Sequence, residues 1–322
     1  MVGELPPFSW SHSRALTLAE CERKYYWHYY GYHNGWSRFA DRESQLAWRL
    51  KHLTTYEMEI GRLVDGCAQE IALAVRDRRA LPAFDVLHDR CRNALRDLYR
   101  RGRRLELFRD DPKRHPVTRD AYYAEPLDSA SAERLRRRLA TCLRNLLSHP
   151  LWEQLADAAR RDVLEMQIFT DRPSFVFDSV VVYATPDFIF TTPETGWVII
   201  DWKTGAMRDA GDQLAIYGLF LREGLGLPAR DGGYGGHVVH LGTDGGDVAV
   251  ALTSDALDRA AERVRDGVAT MRALLADADR NIALDRARFA LTSNRQKCRR
   301  CNFFELCEPE LPPAPPLDRA QR

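Results

Sequence analysis

The sequence predicts an α/β protein: a mixed β-sheet core flanked by helices, with a largely helical N-terminal half and a cysteine cluster near the C-terminus. Three observations lead there. Apolar residues recur at helical spacing through much of the region 1–160. From about Arg161, short apolar or alternating runs separated by Pro/Gly turns replace that period. Finally, Cys298, Cys301 and Cys307 crowd into one short segment. The implied organisation is a helical region over 1–160, an α/β core over 161–252, a helix and cysteine segment over 253–307, and a disordered Pro-rich tail over 308–322, all parts of one integrated domain.

In chain order, Ser11-His12-Ser13-Arg14 caps a helix carrying Leu16, Leu18 and Cys21, which runs into Tyr25-Tyr26-Trp27-His28-Tyr29-Tyr30. A long helical pattern covers 41–79, with Gly61 and Gly66 as interior weak points. Further helices are expected at 85–101 and 131–148, around a polar loop at 108–126, and Pro150 introduces another short one. Strands follow at 163–169 and 174–183, then a hairpin over 186–203. A helix is expected over 207–223, a Gly-rich loop over 232–236, and strands over 237–241 and 247–252. Thr253-Ser254-Asp255 then caps a helix reaching about Asp277.

With 322 residues, 45% of them hydrophobic and 29% charged, the chain has the composition of an ordinary soluble globular protein. Its 47 basic and 46 acidic residues nearly cancel, so any anion-binding surface must be a local patch. Arginines cluster at Arg76-Asp77-Arg78-Arg79, at Arg100-Arg101-Gly102-Arg103-Arg104, at Arg136-Arg137-Arg138 and at Arg299-Arg300. Each alone reads as a solvated helix face; together they make a phosphate-binding surface a reasonable expectation. Nothing near Met1 reads as a signal peptide, and no apolar stretch has the length of a membrane span, so no membrane association and a cytoplasmic location are expected. Seven cysteines, irregularly spread, do not make a secreted disulfide framework.

The chemistry concentrates in the hairpin. Asp187 opens the first strand, Pro193-Glu194-Thr195-Gly196 turns the chain, and Trp197-Val198-Ile199-Ile200-Asp201-Trp202-Lys203 returns. Strand side chains alternate faces, so Asp201 and Lys203 point the same way. The simplest register sets Asp187 beside Asp201, and two carboxylates with an ammonium then suit a magnesium ion. The competing reading is a surface hairpin whose charges are merely solvated. Downstream, Gln213 and Tyr217 share a helix face one turn apart, as site residues or as core and rim. Glu165, in the preceding strand, is either a third carboxylate or an exposed face.

Taken in order, Pro186-Asp187, Asp201-Trp202-Lys203-Thr204-Gly205 and Gln213-x-x-x-Tyr217 resemble the PD-(D/E)xK nuclease superfamily, specifically its RecB-like branch. The resemblance is detailed over about 161–252. It implies a restriction-endonuclease-like core and a Mg²⁺- or Mn²⁺-dependent deoxyribonuclease, acting exonuclease-like on single-stranded or end-bearing DNA, with a helicase as a possible partner. It further implies Asp187 and Asp201 as metal ligands with the Trp202 carbonyl, Lys203 against water and phosphate, Glu165 as the upstream acidic residue, and Gln213 and Tyr217 as the accessory helix motif. Where many such nucleases carry Gly-x-x-x-His on an early helix, this chain has Gly61-Arg62-Leu63-Val64-Asp65. Asp65 thus stands in the metal-ligand position, or marks reduced activity. The alternative is a non-catalytic nuclease-fold DNA-binding or scaffold subunit of a helicase complex.

From spacing alone, Cys298, Cys301 and Cys307 favour a zinc site lacking its fourth ligand. The distant Cys21, ahead of a basic and aromatic helix, shifts that weighting: one early and three late cysteines resemble the iron–sulfur RecB-like nucleases. The resemblance implies that Cys21, Cys298, Cys301 and Cys307 hold a 4Fe–4S cluster tying the chain ends together. Cys67, Cys91 and Cys142 read as buried helix residues.

Overall fold

The computed structural model describes residues 5–169, 171–205, 211–242 and 246–311. A short strand β1 (Ser9–Ser11) leads into α1 (His12–Glu20), whose first turn is closed by the Ser11 hydroxyl accepting from Arg14 N. Cys21 is extended and breaks the helix; its Sγ then caps α2 (Glu22–Tyr26), which passes into a π-helical turn, Trp27–Gly31. Next come α3 (Arg42–Lys51), α4 (Tyr56–Arg76), α5 (Phe84–Arg101), α6 (Leu105–Asp110), α7 (Arg119–Tyr122), α8 (Ser129–Leu147) and α9 (Leu151–Arg160).

The pattern expected as one helix over 41–79 is therefore two. The break falls at Thr54, which bridges to Thr118, and at Thr55, whose side chain caps α4 by accepting from Met58 N. Gly61 and Gly66 sit inside α4 without interrupting it. Likewise the polar loop at 108–126 contains α7, and the strand-like run at 174–183 is a tight hairpin, with Asp178 and Ser179 both at positive φ.

The strands are β2 (Glu165–Ile168), β3 (Ser174–Phe177), β4 (Val180–Tyr183), β5 (Phe188–Thr192) and β6 (Gly196–Lys203). Then follow α10 (Gly211–Leu219), β7 (Gly233–His240), β8 (Gly246–Thr253) and α11 (Ser254–Arg272). The chain ends in a small ribbon, β9 (Leu275–Asp277) with β10 (Ile282–Ala283), and two short helices, α12 (Arg295–Arg299) and α13 (Phe304–Cys307). The start of the helix expected at 207–223 lies outside the described residues. So does 312–322 of the tail, whereas Glu308–Glu310 form a 3₁₀ turn. The helix expected to reach Asp277 stops at Arg272, because residues 275–277 pair with β10.

The central sheet has the order β2-β5-β6-β7-β8, antiparallel except for the parallel β6–β7 pair. A second sheet, β1-β4-β3, pairs β1 parallel to β4. The Gly-rich segment, expected to be a loop, turns only at Gly232, whose φ is +81°; from Gly233 onward it is the first half of β7. Side chains there would be crowded, since a Cβ on Gly235 would come within 3.1 Å of Val198 and one on Gly236 within 3.1 Å of Leu214. Glycine here permits close packing rather than a turn.

Alternation along the strands builds a core on each face. Ile189, Trp197, Ile199 and Val238 pack with α1, α10, α11 and the small sheet. Phe188, Phe190, Val198, Ile200 and Trp202 pack with α4, α5, α8 and α9. A third cluster joins Trp27, Leu50, Phe108, Phe303 and Cys307, and so docks the C-terminal segment on the N-terminal half. No helix among the described residues is long and apolar enough to cross a membrane.

Candidate active site and cysteine cavity

The β5–β6 register pairs Phe188 with Ile200, so Asp187, one residue before β5, falls opposite Asp201. Asp187 Oδ2 accepts from Trp202 N at 2.6 Å, so the carboxyl is fixed by the strand that carries its neighbour. Asp201 and Lys203 share the face turned toward α10, and Lys203 Nζ lies 2.6 Å from Asp201 Oδ2. The ammonium also donates to Gln213 Oε1 at 3.0 Å, and Gln213 Nε2 donates to Tyr217 Oη at 2.5 Å. One chain of polar contacts thus runs from the β6 end onto α10.

The strand ends are held from the other face. Arg138 Nη2 donates to Thr204 O at 2.8 Å, and Asn145 Nδ2 donates to Leu241 O and Gly242 O. Both side chains belong to α8, which therefore clamps the loops leaving β6 and β7. α4 approaches the same loop at Gly61, where a Cβ would lie in ordinary contact 3.4 Å from Thr204 Oγ1.

That approach brings Asp65 to the group. Burial, opposed by Lys203 and reinforced by the Asp201 charge, pushes its carboxyl up to about 6. Asp187 is raised well above the ordinary carboxylate range, first by burial, then by the charges of Asp201 and Asp65. Burial likewise raises Asp201, while Lys203 pulls it back. Burial, then the charges of Asp201 and Asp187, raises the Tyr217 hydroxyl well above its usual value. Three carboxyls sharing a poorly hydrated corner resist ionising together.

Glu165 is not part of this assembly. The β2–β5 pairing is antiparallel and sets Glu165 opposite Thr191, so Ile168, and not Glu165, lies at the Asp187 end. The side chain is exposed at the far end of the strand. Two histidines join the corner unannounced by any motif. His240, buried on β7 beside Lys203 in register, lies near Asp201 and has an Nδ1 without a hydrogen-bond partner. His12, lowered by burial, feels the charges of Asp212, Arg263 and Lys203. The parallel β6–β7 pairing, had it been foreseen, would have exposed His240.

The oxygen donors suit a divalent cation. Asp201 Oδ2 is buried without an aligned hydrogen bond, and the crowded carboxyls would gain from a neutralising ion. Yet among the described residues no three Asp, Glu, His or Cys side chains close tightly enough to hold an ion alone. Asp187 and Asp201 fit the sparse protein contribution usual for magnesium, the remainder coming from carbonyl, water or substrate oxygens.

A second constellation lies at the joined chain ends. Cys21, Cys298, Cys301 and Cys307 line one cavity of about 360 Å³, together with Glu20, Lys24 and Phe303. Burial pushes the Cys301 thiol up to about 11 and Cys307 to about 12. Buried Arg23 ties the ends together: it donates to Phe289 O at 3.0 Å and pairs with Glu310 at 2.5 Å. Arg119 of α7 donates to Arg299 O, and Tyr123, just after that helix, donates from Oη to Asn302 O at 2.9 Å.

A sequence profile of the PD-(D/E)XK nuclease superfamily matches residues 9–308. The chain belongs to that superfamily. Its mixed sheet with helices on both faces is the restriction-endonuclease-like fold, and the helical N-terminal half is embraced by the match. No curated protein matches the chain significantly. In a PD-(D/E)XK protein the corner built by Asp187, Asp201 and Lys203 is the natural candidate for the nuclease centre.

Proposed function

We propose that this chain is a metal-dependent deoxyribonuclease of the RecB-like branch, acting on single-stranded or end-bearing DNA in an exonuclease-like manner. The observation that carries the reading is the unbroken polar chain Asp187–Trp202 N, Asp201–Lys203–Gln213–Tyr217 at one end of the β5–β6 hairpin. Asp187 and Asp201 would hold Mg²⁺ or Mn²⁺, with the Trp202 carbonyl beside them and Asp65 at the rim. When bound, the cation supplies Lewis-acid stabilisation of charge on the phosphoryl oxygens and acidifies a water.

The chain's own residues do the rest. Lys203 Nζ donates to Gln213 Oε1 and lies 2.6 Å from Asp201 Oδ2 without an aligned bond to it. An ammonium held there would meet a phosphate oxygen, where a fixed positive charge stabilises the transition state. Gln213, anchored on Tyr217, keeps the ammonium from collapsing wholly onto Asp201. Burial of Asp187 and Asp201 excludes bulk water and strengthens every charge interaction at the corner.

The same reading places a 4Fe–4S cluster at Cys21, Cys298, Cys301 and Cys307. Four thiols around one cavity support it. A single tetrahedral zinc, with Zn–S bonds of about 2.3 Å, is the competing occupant for four thiols. A larger iron–sulfide core suits thiols spread around a cavity. Its role would be structural, with a helicase as a separate partner. Asp65 in the position of the usual histidine favours a second reading, a nuclease-fold DNA-binding or scaffold subunit without chemistry.

Anaerobically purified protein given Mg²⁺ or Mn²⁺ is expected to cut end-labelled DNA, and Lys203→Ala and Asp201→Ala to abolish cutting in folded protein. Undiminished cutting by those variants rejects the assignment; DNA binding without cutting on any substrate supports the second reading.

A further inference from the structure

Beside the catalytic corner lies a surface on which cations rest on aromatic rings without acidic partners. The Arg14 guanidinium lies 4.4 Å from the Tyr29 ring centroid, Lys51 Nζ 3.2 Å from that of Tyr32, and Arg172 5.2 Å from that of Tyr183. Among the described residues, none of these three cations is ion-paired; Arg14 instead donates to Ser9 O and Oγ. Lys51 is pushed down to about 7, first by burial and then by the charges of Arg14 and Arg172. Carboxylates on the same N-terminal helices are engaged elsewhere: Asp41 caps α3 at Ser44 N, Glu43 pairs with Arg286, and Glu20 with Lys24. Clustered cations without counterions cost stability in the free protein. Such an arrangement suits a surface that meets a polyanion.

The aromatic character continues outward. Tyr32 stacks on Trp48 at 5.8 Å and 21°, and Trp36 meets Trp48 edge-on at 5.3 Å. Trp36 is 53% exposed, and Phe39 is 83% exposed with the Arg38 guanidinium 4.6 Å from its ring. Exposed aromatics next to unpaired cations match one ligand chemistry: a phosphate backbone whose bases are free to stack. A duplex keeps its bases inside. At its inner end the surface adjoins the nuclease corner, because Tyr183 pairs with Ser11 in register and lies on the strand that leads to Asp187.

We propose that Arg14, Lys51 and Arg172, with Tyr32, Trp48 and Trp36, form a track that binds single-stranded nucleic acid and delivers it to the Asp187–Asp201–Lys203 corner. Delivery rests on the nuclease reading above; binding does not. The test is fluorescence anisotropy of a labelled single-stranded oligonucleotide on the intact protein without divalent metal, alongside a duplex and an RNA of the same length. The wild type is expected to prefer single strands. Trp48→Ala is expected to weaken binding about tenfold. Arg172→Gln, at an exposed position, is expected to reduce the slope of log K against log salt by about 0.7. Trp48→Phe keeps the ring and is expected to bind within a few-fold of the wild type. Equal loss on RNA and DNA assigns the track to the shared backbone and bases; loss on DNA alone assigns it to DNA. Wild-type affinity and salt slope in both Trp48→Ala and Arg172→Gln, or equal duplex binding, overturn the track. Track-dependent binding without cutting would refute the nuclease reading and leave the track standing.

Discussion

Replacing Asp65 by asparagine is expected to stabilise the protein in the absence of divalent metal. Folding moves the Asp65 carboxyl from its ordinary 3.8 to about 6, through burial next to Asp201. The sign follows from proton linkage: the folded state binds the proton more tightly, so the native advantage is complete below pH 3.8 and is lost as pH rises through about 6. Above that, ionised Asp65 burdens the fold by up to about 3 kcal/mol, at 1.36 kcal/mol per pH unit. Solvent at the rim screens part of this, so the figure is a ceiling. An asparagine of the same shape carries no charge and should recover most of it. At pH 7.5 the thermal midpoint of Asp65→Asn should rise by as much as about 4 °C, given about 2.1 cal/mol/K of unfolding entropy per residue. Below pH 4 the two proteins should melt together. Mg²⁺ or Mn²⁺ should narrow the difference by relieving the repulsion in the wild type. An Asp65→Asn midpoint equal to or below the wild type at pH 7.5 without metal would refute the account of Asp65 as a carboxyl whose burial at the corner disfavours its ionised form.

Gly267→Ala should cost about 1–3 kcal/mol, read from denaturant midpoints, because its Cβ would overlap Trp10 Nε1 in a filled core. Trp152, 2% exposed, stacks on Phe188 and Trp202 and donates to Leu146 O; Trp152→Ala should cost about 3–5 kcal/mol and lower any cutting through loosened β6. Cys301→Ser should give colourless protein without stoichiometric iron and sulfide, and should make the C-terminal segment sensitive to protease. Retained iron and an unchanged proteolysis pattern would exclude Cys301 as a ligand.

Local chemistry made much of this molecule readable in the sequence. The β5–β6 hairpin announced itself through apolar runs on either side of Pro193-Glu194-Thr195-Gly196, and alternation along it placed Asp201 and Lys203 on one face. The Ser11 and Thr253 caps marked true helix starts. What escaped depended on contacts between distant segments. Glu165 was misplaced because strand periodicity gives the face of a residue but not the end of the ladder it occupies. The glycines of β7 looked like a loop because their packing partners, Val198 and Leu214, lie elsewhere in sequence. His240 carried no local signal at all. Nor did the buried contact of Cys67 Sγ with Cys91 Sγ at 3.6 Å, which joins α4 to α5.

The pairing of Arg23 with Glu310 spans 287 positions of chain. At about 5–20 residues per second, a ribosome takes roughly 15 to 60 s to travel that distance. Through that interval Arg23 and Cys21 have been made but have nothing to close upon. The nascent N-terminal helices must therefore wait with a cation and a thiol exposed, and the cysteine cavity closes only once the segment carrying Cys298, Cys301 and Cys307 has been made.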